Sequence, residues 1–126
     1  MTPKPRILLV DDDVMIVELI STILIKLGYD VVTTNNALSA LKIFKNDQSF
    51  DCVITDYLMP VMTGLTLVAE IRKIDTTRSI PVIMHTGYID VDIDIVKSML
   101  SNVSFLLKPC SRINIHDAVR AAIHGK

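Results

Sequence analysis

The segment Arg6–Asp13 reads RILLVDDD, near the start of a chain of 126 residues. After Arg6 it has four apolar residues in a row, which is typical of a short strand buried on both faces. Three aspartates follow directly, and an amphipathic stretch from Val14 to Leu27 comes next. A buried strand that ends in charge and leads into a helix is the first unit of a chain in which strands and helices alternate.

The same alternation continues along the rest of the sequence. The predicted strands are Arg6–Val10, Asp30–Thr34, Cys52–Thr55, Pro81–His85 and Ser104–Leu107. The predicted helices are Val14–Leu27, Ala37–Lys45, Leu65–Ile74, Val91–Leu100 and Arg112–Ile123. This pattern predicts an α/β fold: a doubly wound, five-stranded parallel sheet with helices on both faces. Because parallel strands are usually covered on both sides, we expect both faces of the strands to be buried.

Local signals mark several helix ends. Gly28 stands where the first helix needs a left-handed cap, and Asn36 and Thr63 precede the second and third helices as N-caps. The fourth helix is ambiguous, because residues 88–95 alternate with a period of two, as a strand would. We assign a helix there, since the alternation of elements requires one and aspartates favour a first helical turn.

The composition limits the class of protein. Thirteen Lys and Arg oppose fourteen Asp and Glu, which gives a net charge of −1. A chain so near neutrality has no overall basic field, so we expect no nucleic-acid partner. Half of the residues are hydrophobic, which is enough for one packed core, and residues 1–126 are predicted to form a single domain.

The cysteines and the apolar runs indicate a location. Cys52 and Cys110 are far apart and stand within or beside apolar runs, so neither a disulfide framework nor a metal knuckle is indicated. The apolar run after Arg6 is too short for a signal peptide, and Val14–Leu27 is shorter than the roughly 20 residues of a membrane span. We therefore expect a cytoplasmic protein without membrane insertion.

Chemically reactive side chains stand at the carboxyl ends of the predicted strands, which share one edge of a parallel sheet. Asp11 and Asp12 follow the first strand, Asp56 the third, Thr86 the fourth and Lys108 the fifth. Carboxylates from neighbouring strands repel each other by roughly 1 kcal/mol in water and by more where water is scarce. Magnesium offsets such charge and takes carboxylate, carbonyl and phosphate oxygens. The sequence thus predicts a site for magnesium and a phosphoryl group.

Within this set Asp56 is the candidate phosphoryl acceptor. It stands alone after the middle strand, whereas Asp11 and Asp12 form a pair suited to gripping the cation. A carboxylate attacks phosphorus to give an acyl phosphate when a metal neutralises the charge. We expect the Lys108 ammonium to pair with Asp56 at rest and with phosphate oxygens later, and the Thr86 hydroxyl to offer these oxygens a further donor.

Four motifs occur in order at the strand ends: Leu9-Val10-Asp11-Asp12-Asp13, Asp56-Tyr57-Leu58-Met59-Pro60 with Met62 and Gly64, Thr86-Gly87, and Lys108-Pro109. With these motifs the chain resembles the receiver domains of two-component response regulators over nearly its whole length. Around Thr86-Gly87-Tyr88 it is similar to the receivers of hybrid sensor kinases. The resemblance implies a single receiver domain with the flavodoxin-like strand order 2-1-3-4-5. It also implies a signalling switch and not an ordinary enzyme.

The resemblance also implies how the acidic residues divide their roles. Asp56 would be the phosphoacceptor. Asp12 and Asp56 would ligate Mg²⁺ directly, together with the backbone carbonyl of Leu58. Asp11 would act mainly through water.

For signalling, the resemblance implies contacts from Thr86 and Lys108 to the phosphoryl oxygens. Phe105 occupies the switch position and would swing inward as Thr86 is drawn towards the phosphoryl group; the alternative is that Phe105 is an ordinary core residue. The implied partners are a sensor histidine kinase or a histidine phosphotransfer domain. A downstream protein would bind the face formed by the fourth helix, the fifth strand and the fifth helix.

Two other classes of protein use related folds. A haloacid-dehalogenase-like phosphatase also has an aspartate after a strand, but it needs a second aspartate two residues later, where this chain has Leu58. A nucleotide- or flavin-binding module is the other alternative. The chain has four glycines, and they form neither a GxGxxG motif nor a P-loop.

Overall fold

The computed structural model describes residues 4–75, 79–87, 102–108 and 111–124. Within these ranges the strands are β1 Arg6–Val10, β2 Asp30–Thr34, β3 Cys52–Asp56, β4 Val82–Thr86 and β5 Val103–Leu107. The helices there are α1 Val14–Lys26, α2 Ala37–Asn46, α3 Gly64–Ile74 and α4 Arg112–His124. The helix predicted at Val91–Leu100 lies outside the described residues.

The predicted bounds of the described elements are confirmed to within one residue. β1 and β2 match, and each of the others differs by one residue at one or both ends. The largest consequence concerns β3 and β4, which extend one residue further than expected, to Asp56 and Thr86. Both residues belong to the hydrogen-bonded sheet, where Asp56 pairs with His85 and Thr86 pairs with Leu107.

All five strands lie in one parallel sheet in the order β2-β1-β3-β4-β5, which confirms the predicted fold class and strand order. The register pairs Val10 at the end of β1 with Thr55, next to Asp56. The carboxyl ends of β1, β3, β4 and β5 therefore stand side by side. Side chains that follow these strands meet at one edge of the sheet, where α/β proteins usually bind ligands.

Hydrophobic clusters on both faces hold the sheet in place. On one face the strands pack against α2 and α3, with Phe44 and Leu67 almost fully buried. On the other face they pack against α1 and α4, with Leu24 and Val119 fully buried. Each such side chain stabilises the fold by roughly 1.5–3 kcal/mol relative to exposure. The doubly wound arrangement is therefore confirmed.

The expectation that the strands are buried on both faces is wrong for the two edge strands. β3 and β4 are buried along their whole length, but Asp30 and Thr33 of β2 and Ser104 and Leu107 of β5 are exposed. An edge strand has a neighbouring strand on one side only, and the helices cover the middle of the sheet. Both edge strands are therefore partly exposed.

The predicted caps are confirmed. Gly28 has a φ of 98°, the left-handed conformation that favours glycine. The Asn36 side chain accepts a hydrogen bond from the Ser39 N–H at 2.8 Å, and the Thr63 hydroxyl accepts one from the Thr66 N–H at 3.2 Å. These contacts fix where α2 and α3 begin, and α3 begins beside the candidate site.

Arg6 fastens the edge of the sheet opposite the candidate site. Its guanidinium contacts Asp30 at 3.2 Å and Asp47 at 2.8 Å and lies 4.6 Å from the centre of the Phe50 ring. Its backbone N–H donates to the Asp51 carboxylate at 2.8 Å. Hydrogen bonding to Arg6 holds the pKa of the Asp47 carboxyl well below its usual range. The start of β1 is thereby tied to β2 and to the loop before β3.

We expect Gly64→Ala to destabilise the protein by about 1–3 kcal/mol through overpacking. A Cβ on Gly64 would lie 2.1 Å from the Asp56 carbonyl oxygen and 2.9 Å from Met84 Sδ. Urea denaturation measures the loss. Gly87→Ala is the matched control, because its Cβ would be 3.6 Å from the nearest atom, Lys108 Cβ. Equal stability of the two variants would contradict this account of the packing.

Candidate functional site

Three carboxylates meet at the carboxyl edge of the sheet. Oxygens of Asp11, Asp12 and Asp56 all lie within 4.8 Å of one another. Asp11 and Asp56 are 1% and 8% exposed, whereas Asp12 faces solvent. The structure therefore brings together the acidic side chains that the sequence placed after two neighbouring strands.

Lys108 supplies a positive charge to this cluster. Its Nζ lies 3.0 Å from Asp11 Oδ2 and 3.5 Å from Asp56 Oδ2. The sequence predicted a pairing with Asp56; the structure shows contacts to both carboxylates, with the shorter one to Asp11. Burial lowers the pKa of Lys108, but the hydrogen bond and charge of Asp11, with help from Asp56, outweigh burial and raise it. The ammonium therefore stays charged.

The carboxylate of Asp56 is held in a partly desolvated environment. Burial raises the pKa of Asp56, and the negative charge of Asp11 raises it further. Lys108 opposes this shift, as does the Tyr57 N–H, which donates to Asp56 Oδ1 at 2.8 Å. Because the net pKa is raised, the ionised form of Asp56 costs the folded state free energy.

The three consecutive aspartates divide into two roles. The Asp13 side chain caps α1 by accepting from the N–H groups of Met15 and Ile16, so Asp13 has the structural role open to an aspartate at a helix start. Asp11 accepts a hydrogen bond from the Asp13 N–H at 2.9 Å, which fixes its carboxylate. Asp11 and Asp12 are left to line the site.

Thr86 and Lys108 are linked through the backbone. The Thr86 carbonyl accepts a hydrogen bond from the Lys108 N–H at 2.8 Å. Thr86 is buried, and it stands one residue beyond His85, the partner of Asp56 in the sheet. The strand ends of β4 and β5 therefore hold these two residues next to the acidic cluster.

Phe105 lies on β5 opposite Met84. Met84 and Thr86 are two residues apart on β4, so their side chains face the same side of the sheet. Because Phe105 pairs with Met84, Phe105 and Thr86 share that face. Phe105 is half-buried and packs against the cluster of α2 and α3. This position suits both sequence interpretations, the switch residue and the ordinary core residue.

The loop between β3 and α3 carries Leu58, which is 48% exposed. The Tyr57 carbonyl accepts a hydrogen bond from the Gly64 N–H at 2.7 Å and closes the base of this loop. The sequence identified the glycine as part of a motif but did not show that its Cα packs against the Asp56 carbonyl. The contacts of the Tyr57 N–H and carbonyl were also missed, because backbone groups leave no signal in residue type.

The donor set fits a hard divalent cation. Three carboxylates within reach of one point offer only oxygen ligands, which is the chemistry that Mg²⁺ prefers. A cation there would also offset the charge that raises the pKa of Asp56. The residues present therefore suit magnesium.

His85 adds no charge to the site near neutral pH. The side chain is 3% exposed, and burial, together with the charge of Lys108, lowers its pKa to about 4. Its burial is consistent with a structural role.

Comparison with known proteins identifies the family. Residues 7–120 match the family model described as the response regulator receiver domain. The chain belongs to this family. Receiver domains are signalling switches, so membership favours the switch over the phosphatase and the nucleotide- or flavin-binding module.

Several curated relatives of the receiver domain are transcriptional regulators of greater length. The chain is 43% identical over 82 residues, 65% of its length, to the transcriptional regulatory protein CpxR homolog of Haemophilus influenzae, with 34% of that protein covered. It is 33% identical over 120 residues to the probable transcriptional regulator ycf27 of Guillardia theta, covering 95% of this chain and 46% of that protein. The receiver domain thus spans less than half of these relatives.

Solved structures agree with the fold. The chemotaxis protein CheY4 of Vibrio cholerae matches with a TM-score of 0.88 at 26% identity, covering 95% of this chain and 99% of that one. The receiver domain of a sensor histidine kinase from Pseudomonas aeruginosa matches with a TM-score of 0.86 at 25% identity, covering 98% and 100%. That structure has a magnesium ion coordinated in the active site cleft.

One further observation concerns membranes. Among the described residues of the receiver domain, no helix combines the length and the apolar character that crossing a bilayer requires.

We expect Asp56→Asn to raise the free energy of unfolding at pH 7, in the presence of a chelator, by on the order of 1 kcal/mol. The raised pKa means that ionised Asp56 destabilises the fold above the pKa of an unfolded aspartate, about 3.9. The gain should shrink as the pH falls towards that value, because Asp56 then takes up a proton. Urea denaturation at several pH values measures both effects.

Asp117→Asn is the control, because Asp117 is exposed on α4. Its stability should stay within about 0.5 kcal/mol of the parent. A less stable Asp56→Asn variant would show that the Asp56 charge stabilises the fold.

Proposed function

We propose that this receiver domain is a phosphoryl-accepting switch, in which Asp56 takes a phosphoryl group from a phosphohistidine in a Mg²⁺-dependent reaction. The donor is a sensor histidine kinase or a histidine phosphotransfer domain. The supporting observation is the position of Asp56, a nearly buried carboxylate within 4.8 Å of two others and 3.5 Å from an ammonium group. Residues 1–126 form a single domain in this proposal, and its location is the cytoplasm.

Asp12, Asp56 and the backbone carbonyl of Leu58 would hold the magnesium ion, with Asp11 acting mainly through water. When bound, magnesium neutralises charge on the carboxylates and on the phosphoryl oxygens. The exposure of Asp12 supports its part in this set, because an exposed carboxylate is free to meet a cation that arrives from solvent. The magnesium ion in the cleft of the Pseudomonas aeruginosa receiver is consistent with the proposal.

In the transfer step one oxygen of Asp56 attacks phosphorus in line with the bond to the donor histidine. The P–O bond to Asp56 forms as the P–N bond breaks. The imidazole nitrogen leaves with the bonding electron pair, and because the other ring nitrogen carries a proton in the reacting phosphohistidine, the leaving group is a neutral imidazole. Positioning and charge stabilisation supply most of the catalysis, so the receiver needs no further covalent chemistry.

Lys108 and Thr86 would bind the phosphoryl oxygens. The Lys108 ammonium already lies between two carboxylates and would exchange part of that contact for the new dianion. The Thr86 hydroxyl would donate to another phosphoryl oxygen. The hydrogen bond from the Lys108 N–H to the Thr86 carbonyl supports a joint movement of the two residues.

The switch would act through Thr86 and Phe105. They share one face of the sheet, so a shift of Thr86 towards the phosphoryl group opens space in the direction of the half-buried Phe105 ring. The surface that changes includes β5 and α4, together with the segment predicted as the fourth helix. A downstream protein binds there, and the proposal includes no nucleic-acid contact by this domain.

We expect acetyl phosphate with Mg²⁺ to add one phosphoryl group to the protein, seen as a single mass increase of the intact chain. Asp56→Asn should abolish the increase, because Asp11, the other buried carboxylate beside Lys108, accepts a hydrogen bond from the Asp13 N–H and is assigned to the cation in this proposal. Asp13→Asn is the matched control: asparagine caps a helix as well as aspartate does, so its phosphorylation should stay within about twofold. A phosphorylated Asp56→Asn variant would contradict the assignment.

We expect a phosphoryl mimic, beryllium trifluoride with Mg²⁺, to shift the amide resonances of Phe105 and of α4. Thr86→Ala should bind the mimic and lose most of the shift at Phe105, because the hydroxyl that couples the two is gone. Thr22→Ala, an exposed position on α1, should behave as the parent. An unmoved Phe105 signal in the parent would make Phe105 an ordinary core residue.

A further inference from the structure

Val61 has a backbone conformation that its residue type disfavours. Its φ is 74°, in the left-handed region, and it is a β-branched residue, for which such a φ is a genuine outlier. Its side chain is 90% exposed, so little packing offsets the strain. Strain of this kind persists only where the surrounding structure imposes it.

The surroundings of Val61 show what imposes the strain. The Pro60 carbonyl accepts a hydrogen bond from the Met62 N–H at 2.8 Å, so the chain reverses over one residue in the strained form of the γ-turn. Because the reversal is this tight, Met59 and Met62 on either side of it both pack against the cluster of α2 and α3. The turn thus lets one short loop be anchored twice in the core.

The same loop is closed at its base next to the phosphoacceptor. The Gly64 N–H donates to the Tyr57 carbonyl at 2.7 Å, and the Tyr57 N–H donates to the Asp56 carboxylate at 2.8 Å. Leu58 lies between this closed base and the buried side chain of Met59, which is 8% exposed. The Leu58 peptide is therefore fixed on both sides, although the Leu58 side chain reaches solvent.

We propose that the one-residue turn at Val61 is a positioning element for metal binding: its backbone conformation, and not its side chain, holds the Leu58 carbonyl where magnesium takes it as a ligand. The inference rests on the proposed function, because it assumes the magnesium site. Val61 touches neither the metal nor the phosphoryl group in this proposal. Its effect passes through the two methionine anchors to the peptide of Leu58.

Three variants of Val61 distinguish the effect of its backbone conformation on Mg²⁺ binding from the effect of its side chain. Val61→Pro fixes φ near −65° and is incompatible with the turn. Val61→Gly adopts a positive φ without strain, and Val61→Ala removes the exposed side chain but keeps a residue with a Cβ. We expect Val61→Pro to weaken Mg²⁺ binding about tenfold or more by calorimetric titration, and the other two variants to stay within about twofold of the parent.

A labelled carbonyl gives a readout at the ligand itself. Leu-Met occurs once in the sequence, at Leu58-Met59, so ¹³C-carbonyl leucine with ¹⁵N-methionine yields one signal for this peptide. Addition of Mg²⁺ should shift that signal in the parent, in Val61→Ala and in Val61→Gly, and should shift it much less in Val61→Pro. A folded Val61→Pro variant with the parent's affinity and shift would overturn the proposal, as would an equal loss in Val61→Ala.

Two further variants keep the outcome decisive. If Val61→Pro fails to fold, Met62→Ala decides: it removes one anchor and should weaken Mg²⁺ binding, and parental affinity would overturn the proposal. Asp12→Asn tests the site itself. Parental Mg²⁺ affinity in Asp12→Asn would count against the proposed function. If Mg²⁺ binding depends on Asp12 but the Leu58–Met59 signal of the parent does not move, only the role of Val61 is contradicted.

Discussion

The repulsion among three carboxylates at one edge of the sheet is the constraint on which the site depends. Asp11, Asp12 and Asp56 come within 4.8 Å of one another, and two of them are almost buried. Lys108 offsets part of the charge through contacts of 3.0 and 3.5 Å. Burial, and after it the charge of Asp11, still raise the pKa of Asp56 against the opposing effect of Lys108. A cation bound among the carboxylates would relieve their repulsion and offset the charge of an incoming phosphoryl group.

The rest of the fold keeps these charges together. The parallel register aligns the ends of β1, β3, β4 and β5, and hydrophobic clusters on both faces prevent the strands from moving apart. Gly64 allows α3 to begin against the Asp56 carbonyl, a contact too close for any side chain. At the opposite edge Arg6 joins three segments by ion pairs and a ring contact. These contacts hold the strand ends in place around the repelling carboxylates.

The loop after β3 combines two requirements that conflict locally. It returns the chain to α3 over a few residues, and in the proposed site it also holds the Leu58 carbonyl for the cation. The turn at Val61 strains the backbone and lets Met59 and Met62 reach the same hydrophobic cluster. The chain keeps the same overall fold as CheY4 of Vibrio cholerae at only 26% identity.

For the described residues, the sequence by itself determined the order of the elements, their bounds to within one residue and the identity of the charged residues at the strand ends, because periodicity and turn residues are local signals. The strand order came from the resemblance to receiver domains. The sequence also predicted the caps at Gly28, Asn36 and Thr63. Only the tertiary structure decided that Lys108 lies closer to Asp11 than to Asp56, that the edge strands are partly exposed, and that Val61 adopts a positive φ. Those features depend on distances between segments far apart in the chain and on backbone hydrogen bonds, and neither is encoded in the type of any single residue.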